Sequence, residues 1–188
     1  MPVSSVDQHP ALIVMDIQTA IAASGELAHP IAEVAGRAGA LAAAFRRHGL
    51  PVILVNVDGT STSRTDNGAR PLGFTFPPEA LEFLPQLDQQ PSDLVVTKKR
   101  IGAFHGTMLD SLLRERGVTQ IFLSGIATTM CVEGTARAGH EHSYNVVVAT
   151  DACTDRDLQL HEHSVTRILP RVAETATAEE IIAALDAS

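Results

Sequence analysis

Short, continuously apolar runs alternate along this chain with longer segments in which apolar residues recur every three or four positions. Residues 11–17 (ALIVMDI) form the first run, the pattern of a strand covered on both faces of a parallel sheet; its one charge, Asp16, stands near the carboxyl end. Between 30 and 48, Ile31, Val34, Ala35, Ala38, Leu41, Ala42 and Phe45 fall on one helical stripe. Pro30 stands where a helix begins and Gly49 where it stops. Residues 52–57 (VILVNV) read as a second buried strand, and 58–78, rich in Gly, Pro, Ser, Thr and Asn, as a long loop of the kind that carries function.

The alternation continues with a short helix at 79–84, a third strand at 94–97, a helix at 107–116 closed by Gly117, and a fourth strand at 120–124 followed by Gly125. A helix at 131–139, a fifth strand at 145–149 and a helix at 158–169 ended by Pro170 come next. A sixth strand is placed at 171–174, and Thr177 with Glu180 forms a capping box for a last helix ending near Asp186. The pattern predicts one domain over residues 1–188: a three-layer α/β/α, Rossmann-like fold on a mainly parallel sheet of about six strands with right-handed crossovers.

In open α/β sheets, ligands settle outside the carboxyl ends of the strands. Asp16 ends the first strand, Lys98 follows the third, Cys131 opens the helix beyond the fourth, and Asp151 follows the fifth. Each has an ordinary structural use, the Asp as a turn cap and the Cys as a small buried hydrophobe. Their meeting points instead to chemistry. A thiol becomes a nucleophile when a cation or a helix N-terminus lowers its pKa, and Cys131 has a candidate for both. Asp16 would then hold the displaced proton and Lys98 would balance the charge.

Composition narrows the setting. With 188 residues, 45% hydrophobic and 19% charged, the chain can bury a core of its own. A net charge of −8 gives no reason to expect nucleic acid or an anionic membrane surface as a partner. The opening MPVSSVDQHP lacks the basic start and apolar core of a signal peptide, and no segment approaches the roughly 18 apolar residues of a membrane span. Two cysteines, Cys131 and Cys153, without CxxC spacing, fit free thiols in a reducing cytoplasm. Of the 14 basic residues only Lys98 and Lys99 are lysines, so a compact ammonium stands at one place in an otherwise Arg-using chain. If the strand runs through them, only one of the two can face the cavity.

Three segments, 14–18 (VMDIQ), 97–107 (TKKRIGAFHGT) and 125–132 (GIATTMCV), followed by Asp151-Ala152 and His161-Glu162, resemble in order and spacing the isochorismatase-like cysteine hydrolases. That superfamily includes nicotinamidases, carbamoylsarcosine amidases and related amidohydrolases. The resemblance implies the isochorismatase-like hydrolase fold and a catalytic triad of Asp16, Lys98 and Cys131, Lys98 being preferred to Lys99 by its distance before Phe104. It further implies a non-proline cis peptide at Ile126-Ala127, an oxyanion hole from the backbone N–H groups of Ala127 and Cys131, and a homo-oligomer. Gln18, Phe104 and Ile126 are substrate-binding candidates on the same ground.

Some residues depart from the resemblance. Members with a catalytic-site metal carry Asp-x-His beyond the second strand, where this chain has Asn56-Val57-Asp58-Gly59-Thr60, so no metal and no cofactor are expected. A nucleophilic cysteine argues against the enol-ether cleavage of true isochorismatases, which lack it. Gly102 replaces a frequent Ser, and His105 is an unusual neighbour of Phe104. The implied activity is hydrolysis of a small amide or carbamoyl C–N bond through a thioester. A non-catalytic binding protein and a thiol redox protein are the alternatives, the latter needing Cys153 as the resolving thiol.

Substrate choice has thinner support. In the 58–78 loop, Arg64 and Arg70 could clamp a carboxylate and Phe74 and Phe76 could form an apolar wall, or the loop could be solvated. No Trp and one Tyr leave little for sandwiching an aromatic ring, which favours a small aliphatic or carbamoyl group. His140 and His142, like His161 and His163, have i, i+2 spacing that suits structural histidines better than a helical metal site.

Overall fold

The computed structural model describes residues 3–59, 64–66 and 75–188. Strands β1 (Pro10–Met15), β2 (Val52–Val57), β3 (Leu94–Lys98), β4 (Gln120–Ile126), β5 (Asn145–Thr154) and β6 (Glu174–Ala176) form one sheet in the order β3-β2-β1-β4-β5-β6. Every pairing within it is parallel. The order reverses between β1 and β4, and that switch point is where doubly wound sheets open a crevice for ligands.

Helices α1 (Thr19–Ala22), α2 (Ile31–Arg47), α3 (Leu109–Glu115), α4 (Glu133–Glu141), α5 (Leu158–His163) and α6 (Ala178–Asp186) connect the strands. All six residues of β1 are buried, and successive side chains enter opposite cores. Leu12 and Val14 join Val34, Ala38, Leu41 and Phe45 of α2 and Ile181 and Leu185 of α6. Ala11, Ile13 and Met15 join Leu109 and Leu113 of α3 and Val132 and Ala136 beside Cys131. At about 1.5–3 kcal/mol for each large apolar side chain fully buried, these two layers dominate the folding energy.

The expected elements occur with shifted ends. The capping box at Thr177 and Glu180 is present and starts α6. The segment expected as a helix at 79–84 is a 3-10 turn over Pro78–Leu81 that ends at an extended Glu82, where Phe83 pairs with Gln18, and a second 3-10 turn follows at Pro85–Leu87. The expected helix at 158–169 starts as α5, widens to a π turn over Ser164–Ile168 and ends in a 3-10 turn over Leu169–Arg171. β6 lies at Glu174–Ala176 rather than 171–174, since that turn occupies the earlier residues. The short helix α1 is an element that the apolar pattern did not signal.

The larger correction concerns β5. It runs beyond Ala149 to Thr154 through a register shift in which β4 advances from Leu123 to Gly125 while β5 advances from Val148 to Cys153. Asp151 therefore lies inside the strand and not past its end. Its carboxylate accepts the Ala178 N–H at the start of α6 (2.7 Å) and lies 3.5 Å from Arg37 of α2, a packing role. Asp155 takes the place after the strand.

Gly125 sets how closely β4 approaches β1 at the switch point. Its φ of 141° lies in a region that L side chains rarely adopt, and a Cβ there would sit 2.1 Å from the Met15 carbonyl oxygen. Gly125→Ala is expected to destabilise the protein by about 3 kcal/mol or more, combining backbone strain with a clash that no rotamer relieves. Urea denaturation checks this, and a loss under 1 kcal/mol would show that the two strands can separate here.

Candidate active site

Asp16 is the first residue past β1. Its φ of 59° places it in the left-handed region, which Asp tolerates better than most residues, and its N–H donates to the Val55 carbonyl (2.8 Å). The sharp turn brings the carboxylate under cover rather than out to solvent: Asp16 is 4% exposed and its Oδ2 lies 2.7 Å from Lys98 Nζ. β3 buries Val96 and Lys98 while Val95 and Thr97 are exposed, so alternation aims Lys98 inward. Lys98 Nζ also donates to the Arg100 carbonyl (3.0 Å). The Lys99 side chain, 63% exposed, points elsewhere and lies 4.0 Å from Asp58.

Cys131 arrives from the other side of the switch point. After β4 the chain makes one π turn, Thr128–Val132, which leads directly into α4. The Ile126-Ala127 peptide before it is cis, at the position the resemblance implies. The Ala127 carbonyl accepts from the N–H groups of Met130 (3.1 Å) and Val132 (3.3 Å), and the Cys131 thiol donates to the Ile126 carbonyl (2.9 Å). Cys131 is 2% exposed. The three chemically distinct groups thus converge from three connections, as their positions at strand ends predict.

The electrostatics correct one expectation. Burial raises Asp16 from 3.8 to about 6, against the downward pull of the Lys98 ammonium. Burial also pushes the Cys131 thiol well above its usual value, reinforced by the Asp16 charge and only partly opposed by Lys98. Lys98 does favour the ionised form of both groups, but desolvation outweighs it. Both directions favour an un-ionised thiol beside Asp16. Asp16 and the Cys131 thiol also interact side chain to side chain, which puts the carboxylate directly beside the sulfur.

The remaining candidates divide. Gln18 is fully buried, and its amide donates to the Val57 and Ala80 carbonyls (3.1 Å each) and accepts the Val57 N–H (2.7 Å). It braces the end of β2 against the turn that carries Ala80. Phe104 is likewise a core residue, its ring stacked 5.0 Å from His142 and 5.9 Å from Tyr144. Ile126 is buried beside the cis peptide and lends its carbonyl to the thiol. Arg64 is exposed, and Phe76 donates its N–H to Asp58 Oδ1 (3.0 Å). Arg70 and Phe74 lie outside the described residues.

No group of three or more His, Cys, Asp or Glu side chains among the described residues is arranged to hold a metal ion. Where a metal-binding relative carries Asp-x-His this chain reads Asp58-Gly59-Thr60, without the imidazole, so the residues present do not fit that group. Cys153 is buried, its thiol pushed up to about 12 by burial. Two side chains touch the Cys131 turn: Asp155, which the sequence pattern did not single out and which accepts from Thr129, and His161 of the matching His161-Glu162 pair, which meets Thr128. Only the unforeseen length of β5 could have drawn attention to Asp155.

A doubly wound α/β sheet with a carboxylate, an ammonium and a thiol gathered at its switch point defines the class as a Rossmann-like hydrolase. The isochorismatase domain matches residues 10–180, and the chain belongs to that family. Isochorismatase family protein YecD of Escherichia coli O157:H7 is 39% identical over 180 residues, 93% of this chain and 95% of that protein. Ureidoacrylate amidohydrolase RutB of Pantoea ananatis is 32% identical over 172 residues, covering 77% and 69%. Among solved structures, an isochorismatase family protein from Burkholderia thailandensis superposes with a TM-score of 0.88 at 37% identity, covering 98% of each chain. N-carbamoylsarcosine amidase from Thermoplasma acidophilum gives 0.74 at 27%, covering 92% and 98%. No helix among the described residues is long and apolar enough to cross a membrane.

Removing one partner of a buried pair strands the other, at a cost of about 3–5 kcal/mol. Lys98→Met is therefore expected to lower stability by about 3 kcal/mol, while Lys99→Met stays within roughly 0.5 kcal/mol. Thermal and urea unfolding of the two variants measure this. Equal losses would mean that the buried ammonium is not the one bonded to Asp16.

Proposed function

We propose that the protein is a cysteine-dependent hydrolase of a small amide or carbamoyl-type C–N bond, acting through a covalent thioester. The observation that carries this reading is the buried Asp16–Lys98 pair in side-chain contact with the Cys131 thiol. The similarity to a ureidoacrylate amidohydrolase and an N-carbamoylsarcosine amidase supports the bond type. The lone tyrosine, Tyr144, is buried and donates its hydroxyl to Asp110, so it offers no platform for an aromatic substrate.

The un-ionised thiol sets the first step. Asp16 takes the Cys131 proton as the sulfur attacks the substrate carbonyl, forming the S–C bond and placing negative charge on the carbonyl oxygen. The N–H groups of Ala127 and Cys131 receive that oxyanion. The tetrahedral intermediate then collapses, the C–N bond breaks, and Asp16 gives its proton to the departing nitrogen. In the second half Asp16 deprotonates water, which adds to the thioester. The acid leaves and the proton returns to sulfur. Lys98 stays charged throughout and holds the carboxylate in place. A reducing cytoplasm, consistent with two free thiols, and a homo-oligomer, suggested by the family resemblance, belong to the same proposal.

Cys131→Ala is expected to abolish turnover while Cys153→Ala retains most of it, and Asp16→Asn should lose turnover because both half-reactions use the carboxylate. Mass spectrometry after incubation with primary amides, ureides and carbamoyl compounds should find an acyl adduct on Cys131. Equal loss from both cysteine variants would refute the assignment. Asp16 must be ionised to accept a proton, so kcat/KM should fall as pH drops through about 6, the value to which burial raises it. A profile flat down to pH 4.5 would remove Asp16 from the mechanism.

A further inference from the structure

The turn that carries Cys131 is gripped from outside by the connection following β5. Asp155, the first residue past that strand, is 5% exposed. Its Oδ2 accepts both the Thr129 N–H (2.8 Å) and the Thr129 hydroxyl (2.7 Å), and its Oδ1 accepts the Arg156 N–H (2.8 Å). From α5, His161 Nδ1 lies 2.8 Å from the Thr128 hydroxyl, both side chains being buried. His29 packs its ring edge-on against His161 at 4.8 Å and is itself tied to Thr154 (3.2 Å). Thr128 and Thr129 are two of the three residues separating Ala127 from Cys131, so both outside contacts fall between the two N–H groups assigned to the oxyanion.

We propose that Asp155, supported by His161, is a positioning residue that sets the peptide planes of this turn so that the Ala127 and Cys131 N–H groups meet the oxyanion. The inference rests on the thioester reading above. Burying a carboxylate costs several kcal/mol, and here one of its oxygens holds a single residue of a five-residue turn by two hydrogen bonds. Two charge-assisted hydrogen bonds to one residue fix both its peptide plane and its rotamer, and each is roughly twice as strong as a neutral one. A negative charge this near a developing oxyanion would oppose it, so the contribution is geometric. An amide oxygen at the same place should serve nearly as well.

That distinction makes the role testable on the whole protein with two reagents. Iodoacetamide alkylates sulfur without forming an oxyanion, whereas p-nitrophenyl acetate acylates it through one and releases p-nitrophenolate. Asp155→Ala is expected to slow the acylation burst by about 100-fold, the scale of a misplacement near 1 Å, while changing alkylation less than threefold. Asp155→Asn, which keeps the Thr129 contacts, should recover acylation to within about tenfold of the parent protein. Normal acylation in Asp155→Ala, or parallel loss of acylation and alkylation in both variants, overturns the proposal. Should Asp155→Ala not fold, Thr129→Val removes the hydroxyl contact alone: slower acylation with unchanged alkylation supports the role, and any other pattern overturns it. A parent protein that alkylates at Cys131 but is never acylated would bring down the thioester reading itself, a result that needs no variant to see.

Discussion

Two opposite charges buried 2.7 Å apart at the carboxyl edge of the sheet constrain everything around them. Desolvating each costs several kcal/mol, recovered only if geometry is good and the leftover donors are met. Lys98 meets that condition through the Arg100 carbonyl, and Asp16 reaches it by turning through a left-handed backbone conformation. β1 and β3 are not neighbours in the sheet, so the pair spans the end of β2 and fixes three strand ends together. The third group, Cys131, is delivered across the switch point by Gly125, whose missing side chain lets β4 close on Met15.

The same burial decides how the thiol is kept. A thiolate is the species that oxidants and adventitious electrophiles attack. In the proposed mechanism, a Cys131 held un-ionised beside Asp16 becomes a nucleophile only as a substrate carbonyl arrives to receive it. Lys98 is then not the group that makes the thiol acidic. It keeps the neighbouring carboxylate charged at neutral pH, which a desolvated Asp16 alone would resist.

Most of the architecture could be read from the chain because a doubly buried strand and a one-sided helix leave different apolar periods. The bounds of β2 coincide with the apolar run 52–57, and Asp16, Lys98 and Cys131 stand out as candidates because the ligand crevice of such a sheet opens at the carboxyl ends of its strands. The shortfalls share a cause. The extension of β5 through its bulge, and with it Asp155, depends on how β4 pairs with it, which no local period records. Gln18 and Phe104 lie in matching segments yet serve the frame, since a motif preserves the site's scaffold together with its reacting groups. The sign of the thiol's shift depended on burial depth, which spacing does not give.

Because Asp16, Lys98, Cys131 and Asp155 each hang from a different strand, the constellation has no local precursor. Every contact within it joins segments far apart in the chain except the grip of Asp155 on Thr129, and such contacts form late, after the intervening loops have been closed at entropic cost. A partly folded chain, with β1 to β3 assembled but β4 unpaired, would hold the ion pair without the sulfur. The thiol environment is thus a readout of completed assembly: a nascent or damaged molecule exposes an ordinary cysteine, and only the finished sheet converts it into a protected one.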